Sequence, residues 1–291
     1  MNTWLGMNDL EVMMTTVLVN AADLLANPLG DRQFIDVRHD LMNHQLGAQQ
    51  YVEGHIPGAV FFDHETDLCS EKTGKNGRHP LPKREVFAEL LAKRGIDINK
   101  ETVVYDADNM MFAAHMWWML RWLGFEKVSV LNGGIKAWKA AGGAVESGTT
   151  TPHAEVSWSL CDSLVALYTA DQVLANIKNP QFTVLDARAP ERYRGDVEPM
   201  DPVAGHIPGA LNRPCTSNIG ADGLMKSPEE LREAFSRYQD HELIVHQCGS
   251  GVTACHNILA MEIAGLHNYG LYAGSWSEWV ADSSRPVATG E

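Results

Sequence analysis

Several things are scarce in this sequence, and each scarcity excludes a class of protein. No apolar run reaches the length needed to cross a bilayer as a helix, so no membrane contact is expected. Basic residues are short: 23 Lys and Arg face 37 Asp and Glu, a formal charge of -14. That balance argues against nucleic acid or anionic lipid as a partner, while leaving room for a local pocket that takes one small anion. The N-terminal run MNTWLGMNDLEVMMTT lacks the basic segment of a signal or transit peptide. Cysteine is too sparse and scattered for a disulfide scaffold: Cys69, Cys161, Cys215, Cys248 and Cys255 are five, an odd number. A reducing cytoplasm is the expected compartment. Histidines and cysteines lack zinc-finger spacing, so neither a metal nor an organic cofactor is expected.

What is present is a repeat. FIDVRHD at Phe34 and FTVLDAR at Phe182 are each followed by an identical GHIPGA, starting at Gly54 and Gly205. Further on, VVYDADNMMFAAHMW from Val103 aligns with IVHQCGSGVTACHNI from Ile244, and LNGGIKAW aligns with YAGSWSEW. These later stretches share one offset of 141 residues, against 151 for the two GHIPGA histidines. The first half therefore carries about ten extra residues around DLCSEKTGKNGRHPLP. Each half alternates short apolar strands with helical segments, the pattern of an α/β unit with a buried parallel sheet. The expected division is a non-catalytic domain over 15–143, a linker over 144–157 and a catalytic domain over 158–291.

The duplication serves as an internal control. Cys248 follows a buried strand and heads the run CGSGVTAC, which enters a helix. Ligands bind at that place in open α/β sheets. Gly249 and Gly251 let backbone N–H groups turn inward as an anion nest, and the helix dipole favours a thiolate there. The matching residue of the first half is Ala107, without the flanking glycines, so the first half keeps the fold and lacks the nucleophile. No Arg or Lys lies within CGSGVTA, which disfavours a phosphate dianion and suits attack on a softer centre such as sulfur.

Together the paired GHIPGA, the LDAR strand end, the CGSGVTA loop and the closing GSWSEW resemble the two-domain rhodanese family, over about Val17 to Trp279. The resemblance implies two tandem rhodanese-like domains, each a mainly parallel five-stranded sheet flanked by helices, with the active site in the cleft between them. It implies Cys248 as nucleophile, held by Gly249, Ser250, Gly251, Val252, Thr253 and Ala254. The loop is of the 3-mercaptopyruvate sulfurtransferase type, whereas thiosulfate-using relatives carry Arg and Lys after the cysteine.

It also implies a Ser-His-acid arrangement, which falls here on Ser250, His79 and Glu65, with Asp63 as an alternative acid. Arg192 stands where the principal substrate arginine is expected, and Arg188 is a weaker substrate-binding candidate. At the second arginine position stands Met200, a departure that a replacement from Arg188, Arg194 or Arg213 could offset. The implied reaction moves sulfur from a small anionic donor, 3-mercaptopyruvate, through a Cys248 persulfide to a thiol such as thioredoxin or to cyanide, releasing pyruvate; the alternatives are thiosulfate as donor, or a persulfide carrier working with a partner protein. His55 and His206, being duplicated, are expected to be structural.

Overall fold

The structure is a computed structural model and describes residues 16–27, 30, 32–151, 153–238 and 243–291. The run 1–15, which includes most of the segment read for targeting signals and the first residue assigned to the first domain, lies outside the described residues. Two five-stranded sheets are present, and both are parallel throughout. In the first half the strands are β1 (Leu18–Val19), β2 (Gln33–Asp36), β3 (Val60–Phe61), β4 (Thr102–Tyr105) and β5 (Val128–Leu131). Those of the second half are β6 (Leu167–Tyr168), β7 (Thr183–Asp186), β8 (Leu211–Asn212), β9 (Ile244–Gln247) and β10 (Tyr269–Tyr272). The orders β1-β5-β4-β2-β3 and β6-β10-β9-β7-β8 are the same order written twice. The duplicated sequence has produced a duplicated topology, as two tandem rhodanese-like sheets require.

The central strands β4 and β9 are buried at every residue because helices cover both faces. The helices that follow them, Met111–Trp122 and Ala254–Ile263, pack against each other. Their inward faces carry Trp117, Trp118, Leu120, Ile258, Leu259 and Met261, and the largest apolar core of the molecule runs through both halves. Among the described residues, no helix is long and apolar enough to cross a membrane.

The two GHIPGA turns are built alike. His55 Nδ1 lies 2.8 Å from the Tyr51 carbonyl, and His206 Nδ1 lies 2.8 Å from that of Tyr193. Each imidazole stacks on its tyrosine at 3.9 Å between ring centres. Each tyrosine hydroxyl in turn donates to the alanine carbonyl that ends GHIPGA, at 2.6 Å. Both histidines therefore hold the same turn in place, in the half that carries Cys248 and in the half that carries Ala107.

The stretch 144–157 is less of a tether than its composition suggests. Glu146 makes a backbone bridge to His55, and Gly148 donates to the Val52 carbonyl. The chain terminus repeats this: Ala288 bridges to His206, and Gly290 donates to the Arg194 carbonyl. So the run after Ala144 and the tail after Pro286 are the same closing segment of each repeat. Their sequences, AVESG and VATG, are too short and too divergent for periodicity to reveal that.

Candidate active site

Cys248 lies directly after β9 and is almost fully buried. Gly251 N–H donates to its Sγ at 3.2 Å, so the loop curls back on the sulfur. Gly251 is needed for this, and Gly249 leaves room for the cation above it. Gly251 has φ of 88°, and a Cβ there would sit 2.4 Å from the Ala273 carbonyl oxygen. A Cβ on Gly249 would sit 2.7 Å from Arg78 Nη2. From below, the loop is clamped by the GSWSEW turn. Ser275 Oγ accepts from Cys248 N–H at 3.0 Å, and the amides of Trp276 and Ser277 donate to the carbonyls of Cys248 and Gly249. Val252 is buried, Thr253 half-buried, and Ala254 opens the helix Ala254–Ile263.

In the first half the same loop is filled from within. Ala107 takes the place of the cysteine, and the preceding Asp106 folds its own carboxylate into the nest. That carboxylate accepts from the amides of Met110, Phe112 and Ala113 at 3.0, 3.1 and 3.2 Å. Met110 matches Gly251 and is forced into the left-handed region at φ of 62°. Burial raises the Asp106 pKa to about 6 in spite of those three donors. An anion site filled by its own side chain leaves no place for a substrate.

The extra residues of the first half do reach the cysteine loop. Arg78 N–H donates to Ser277 Oγ at 3.0 Å, which carries Arg78 and His79 over to the second half. His79 Nδ1 then lies 2.7 Å from Ser250 Oγ, and His79 Nε2 lies 2.9 Å from Glu65 Oε1. Lys72 holds the other Glu65 oxygen at 2.6 Å. Burial pushes His79 down to about 4, against the pull of Glu65, so its ring is neutral at pH 7 and free to accept a proton. For Glu65 burial acts to raise the pKa, but the Lys72 hydrogen bond and the nearby His79 outweigh it, and the carboxyl stays ionised. Ser250, His79 and Glu65 are thus brought together. Asp63 is not part of this chain: its Oδ1 accepts from the amides of Glu65 and Thr66.

Of the arginines, Arg192 faces the loop, with both terminal nitrogens within 3.7 Å of a Cβ built on Gly249. Glu198 orients it through contacts of 2.7 and 3.2 Å. Arg188 is placed differently. Its guanidinium is spent on Asp186, the Gly205 carbonyl and Glu198, over the face of Trp276. Arg38 makes the same bonds to Asp36 and the Gly54 carbonyl, so this arginine is a structural pin of the repeat. Arg194 pairs with Asp196 at the surface, and Arg213 is buried on Phe235 and Asn218. Met200 is 41% exposed.

The cation that sequence reasoning missed is Arg78. It pairs with Asp201, which also lies 3.6 Å from Arg192, so two arginines converge over Gly249 from opposite halves. The signal was its position beside His79, in the enlarged loop. The other cysteines have no such setting. Burial raises Cys69 and Cys215 to about 12 and also raises Cys255, which keeps those three thiols protonated and inert.

A model of the rhodanese-like domain matches residues 21–141 and again 169–282. The chain belongs to the rhodanese family. It is 45% identical over 266 residues to the "Probable 3-mercaptopyruvate sulfurtransferase" of Pseudomonas aeruginosa, covering 90% of this chain and 93% of the relative. Another relative, the thiosulfate sulfurtransferase of Cricetulus griseus, is 39% identical, with 79% of each chain covered. Among solved structures, the 3-mercaptopyruvate sulfurtransferase from Leishmania major superposes with a TM-score of 0.81 at 32% identity, covering 91% of this chain and 74% of that one. This rhodanese-family chain is a sulfurtransferase, and relatives of both donor types resemble it.

Its buried histidines carry a consequence for acid stability. Burial pushes His115 and His246 down to about 3 and His256 to about 4, from 6.5. Below pH 6.5 the unfolded chain binds protons that these three rings refuse, so stability falls with pH. Asp106 acts in the opposite sense, since its folded pKa is raised above 3.8. With His79 also at about 4 and His64 lowered by burial in the same sense, at least about three net protons near pH 5 correspond to roughly 4 kcal/mol lost per pH unit. Urea midpoints should drop steeply between pH 6.5 and 5; a flat midpoint over that range would contradict it.

Proposed function

We propose that this sulfurtransferase takes its sulfur from 3-mercaptopyruvate. The observation that carries the reading is Ser250 Oγ at 2.7 Å from His79 Nδ1, with Glu65 behind the ring. Thiosulfate brings no proton to be moved, whereas the thiol of mercaptopyruvate does, and the carbanion it leaves must receive one. The loop supports the same reading, because it carries no cation of its own and its two arginines stand outside it, where a carboxylate two carbons from the sulfur would lie.

In the proposed reaction Arg78 and Arg192 hold the carboxylate and ketone of the donor. Ser250 passes the substrate thiol proton to neutral His79. The Cys248 thiolate attacks the substrate sulfur, and the carbon–sulfur bond breaks with its electron pair moving into the carbonyl as an enolate. His79 returns the proton through Ser250 to that carbon, giving pyruvate. The new persulfide rests in the Gly249–Ala254 turn, with the Gly251 amide as donor. A thiol, such as that of thioredoxin, or cyanide then takes the outer sulfur and restores the thiolate. A cytoplasmic setting suits that thiol chemistry.

The test compares thiocyanate formation from the two donors at equal concentration, with cyanide as acceptor. The expected result is a higher kcat/KM with 3-mercaptopyruvate, lost selectively in Ser250→Ala. A preference for thiosulfate would overturn the reading.

A further inference from the structure

We propose that His39, His44 and Glu65 form a site for a borderline divalent cation such as Zn2+, joined through Glu65 to the His79–Ser250 pair. Sequence spacing could not expose it, because the residues come from separate loops. His39 follows β2, His44 precedes the helix Leu46–Glu53, and Glu65 follows β3. One nitrogen or oxygen from each lies within 4.8 Å of the others. A tetrahedral ion with bonds of about 2.0–2.2 Å sets its donors about 3.3–3.6 Å apart. Closing the site therefore takes at most about 1.5 Å of movement between donors, and His44 is exposed.

A second observation points the same way. His39 Nε2 is buried and has no hydrogen-bond partner among the described residues, a nitrogen that an ion would satisfy. His44 lies with Nε2 at 3.3 Å from the Leu41 carbonyl, the contact that leaves Nδ1 free to ligate. The loop itself is pinned, since Asp40 Oδ1 accepts from the amides of Met42 and Asn43 at 2.8 Å. Two imidazoles and one carboxylate suit zinc better than the oxygen-seeking Mg2+ or Ca2+, and water would complete four ligands.

Lys72 now holds Glu65 Oε2, the oxygen not bonded to His79, and its side chain is about half exposed. An ion in its place would draw charge from the carboxylate that faces His79, weaken that ring as a base and slow turnover. This consequence, unlike the binding itself, rests on the proton relay proposed above.

Binding is read in the full chain carrying Cys248→Ser, which removes the reactive thiol. Titration with zinc chloride is expected to show one ion per chain, with affinity at least about ten-fold weaker after His39→Ala or His44→Ala. Cobalt in the same site should give no sulfur-to-cobalt charge-transfer band. No binding, binding untouched by both histidine changes, or a sulfur band would overturn the site. With Cys248 intact, zinc should slow the parent chain but spare His44→Ala, whose turnover without zinc is unchanged. Equal inhibition of both would overturn the coupling. Loss of metal-free turnover in Ser250→Ala reports on the relay alone, so the two claims fail separately.

Discussion

Cys248→Ser is expected to lower sulfur transfer by about 10^4-fold or more while leaving the fold intact. The effect is chemical. A serine hydroxyl at this position is a far weaker nucleophile, and it has no sulfur on which to store a persulfide. The structural cost is small, because the Gly251 amide that faces Sγ would still find an acceptor, and the Ser275 clamp acts on the backbone. Thermal unfolding should therefore match the parent. Exposed Cys161 is the control. Cys161→Ser should keep full activity, and retained activity in Cys248→Ser would remove the mechanism outright.

The second large effect concerns the two arginines over Gly249. Each makes charge-assisted contacts of the kind that contribute about 1.5–3 kcal/mol, so Arg192→Ala is expected to cost about 10- to 100-fold in kcat/KM, chiefly through KM. Arg78→Ala should cost at least as much, for a reason the geometry supplies. Asp201 is almost fully buried between Arg78 and Arg192, and one of its oxygens has no hydrogen bond. Removing Arg78 leaves that carboxylate to repel the donor and to neutralise Arg192. Asp201→Asn in the Arg78→Ala background should then recover part of the loss, a coupling measurable as a double-mutant cycle. Met200→Arg is expected to add little, because the side chain it replaces is turned toward solvent and Asp201 occupies the neighbouring inward position. Were Arg78→Ala to leave KM for mercaptopyruvate unchanged, its role in holding the carboxylate would be refuted.

Those two arginines also mark the boundary of what the residues disclosed in advance. Duplication carries the fold plainly, because matching motifs recur in the same order in each half, and β1-β5-β4-β2-β3 recurs as β6-β10-β9-β7-β8. Cys248 stands out for the same reason: its own repeat partner is Ala107, in a loop that carries neither the thiol nor the flanking glycines. What fills that loop was not legible. Asp106 closing its own nest needs three backbone N–H vectors in space, and no spacing rule encodes them.

His79 was reached through resemblance, while Arg78, one residue before it, was passed over. A lone arginine in a polar loop says nothing until the loop is seen crossing to Ser277 and Gly249. Arg188 shows the converse. It stood as a weaker substrate candidate, more readily read as structural, and its guanidinium pins Asp186 to the Gly205 turn, as Arg38 does with Asp36 and Gly54. The closing segments at Glu146 and Ala288 were likewise hidden, because a two-residue bridge leaves no periodic trace.

The acidity of the chain acquires a local meaning here. The two cations over Gly249 are answered by Asp201 and Glu198, so the guanidinium charge above the Cys248 loop is balanced locally.

The most direct test of the account is to mix the full chain with 3-mercaptopyruvate in the absence of any acceptor and then weigh its peptides. The account predicts one added sulfur atom per chain on the peptide that contains Cys248, with one pyruvate released for each. Sulfur on another cysteine, pyruvate released with Cys248 unmodified, or loading by thiosulfate but not by mercaptopyruvate would contradict it.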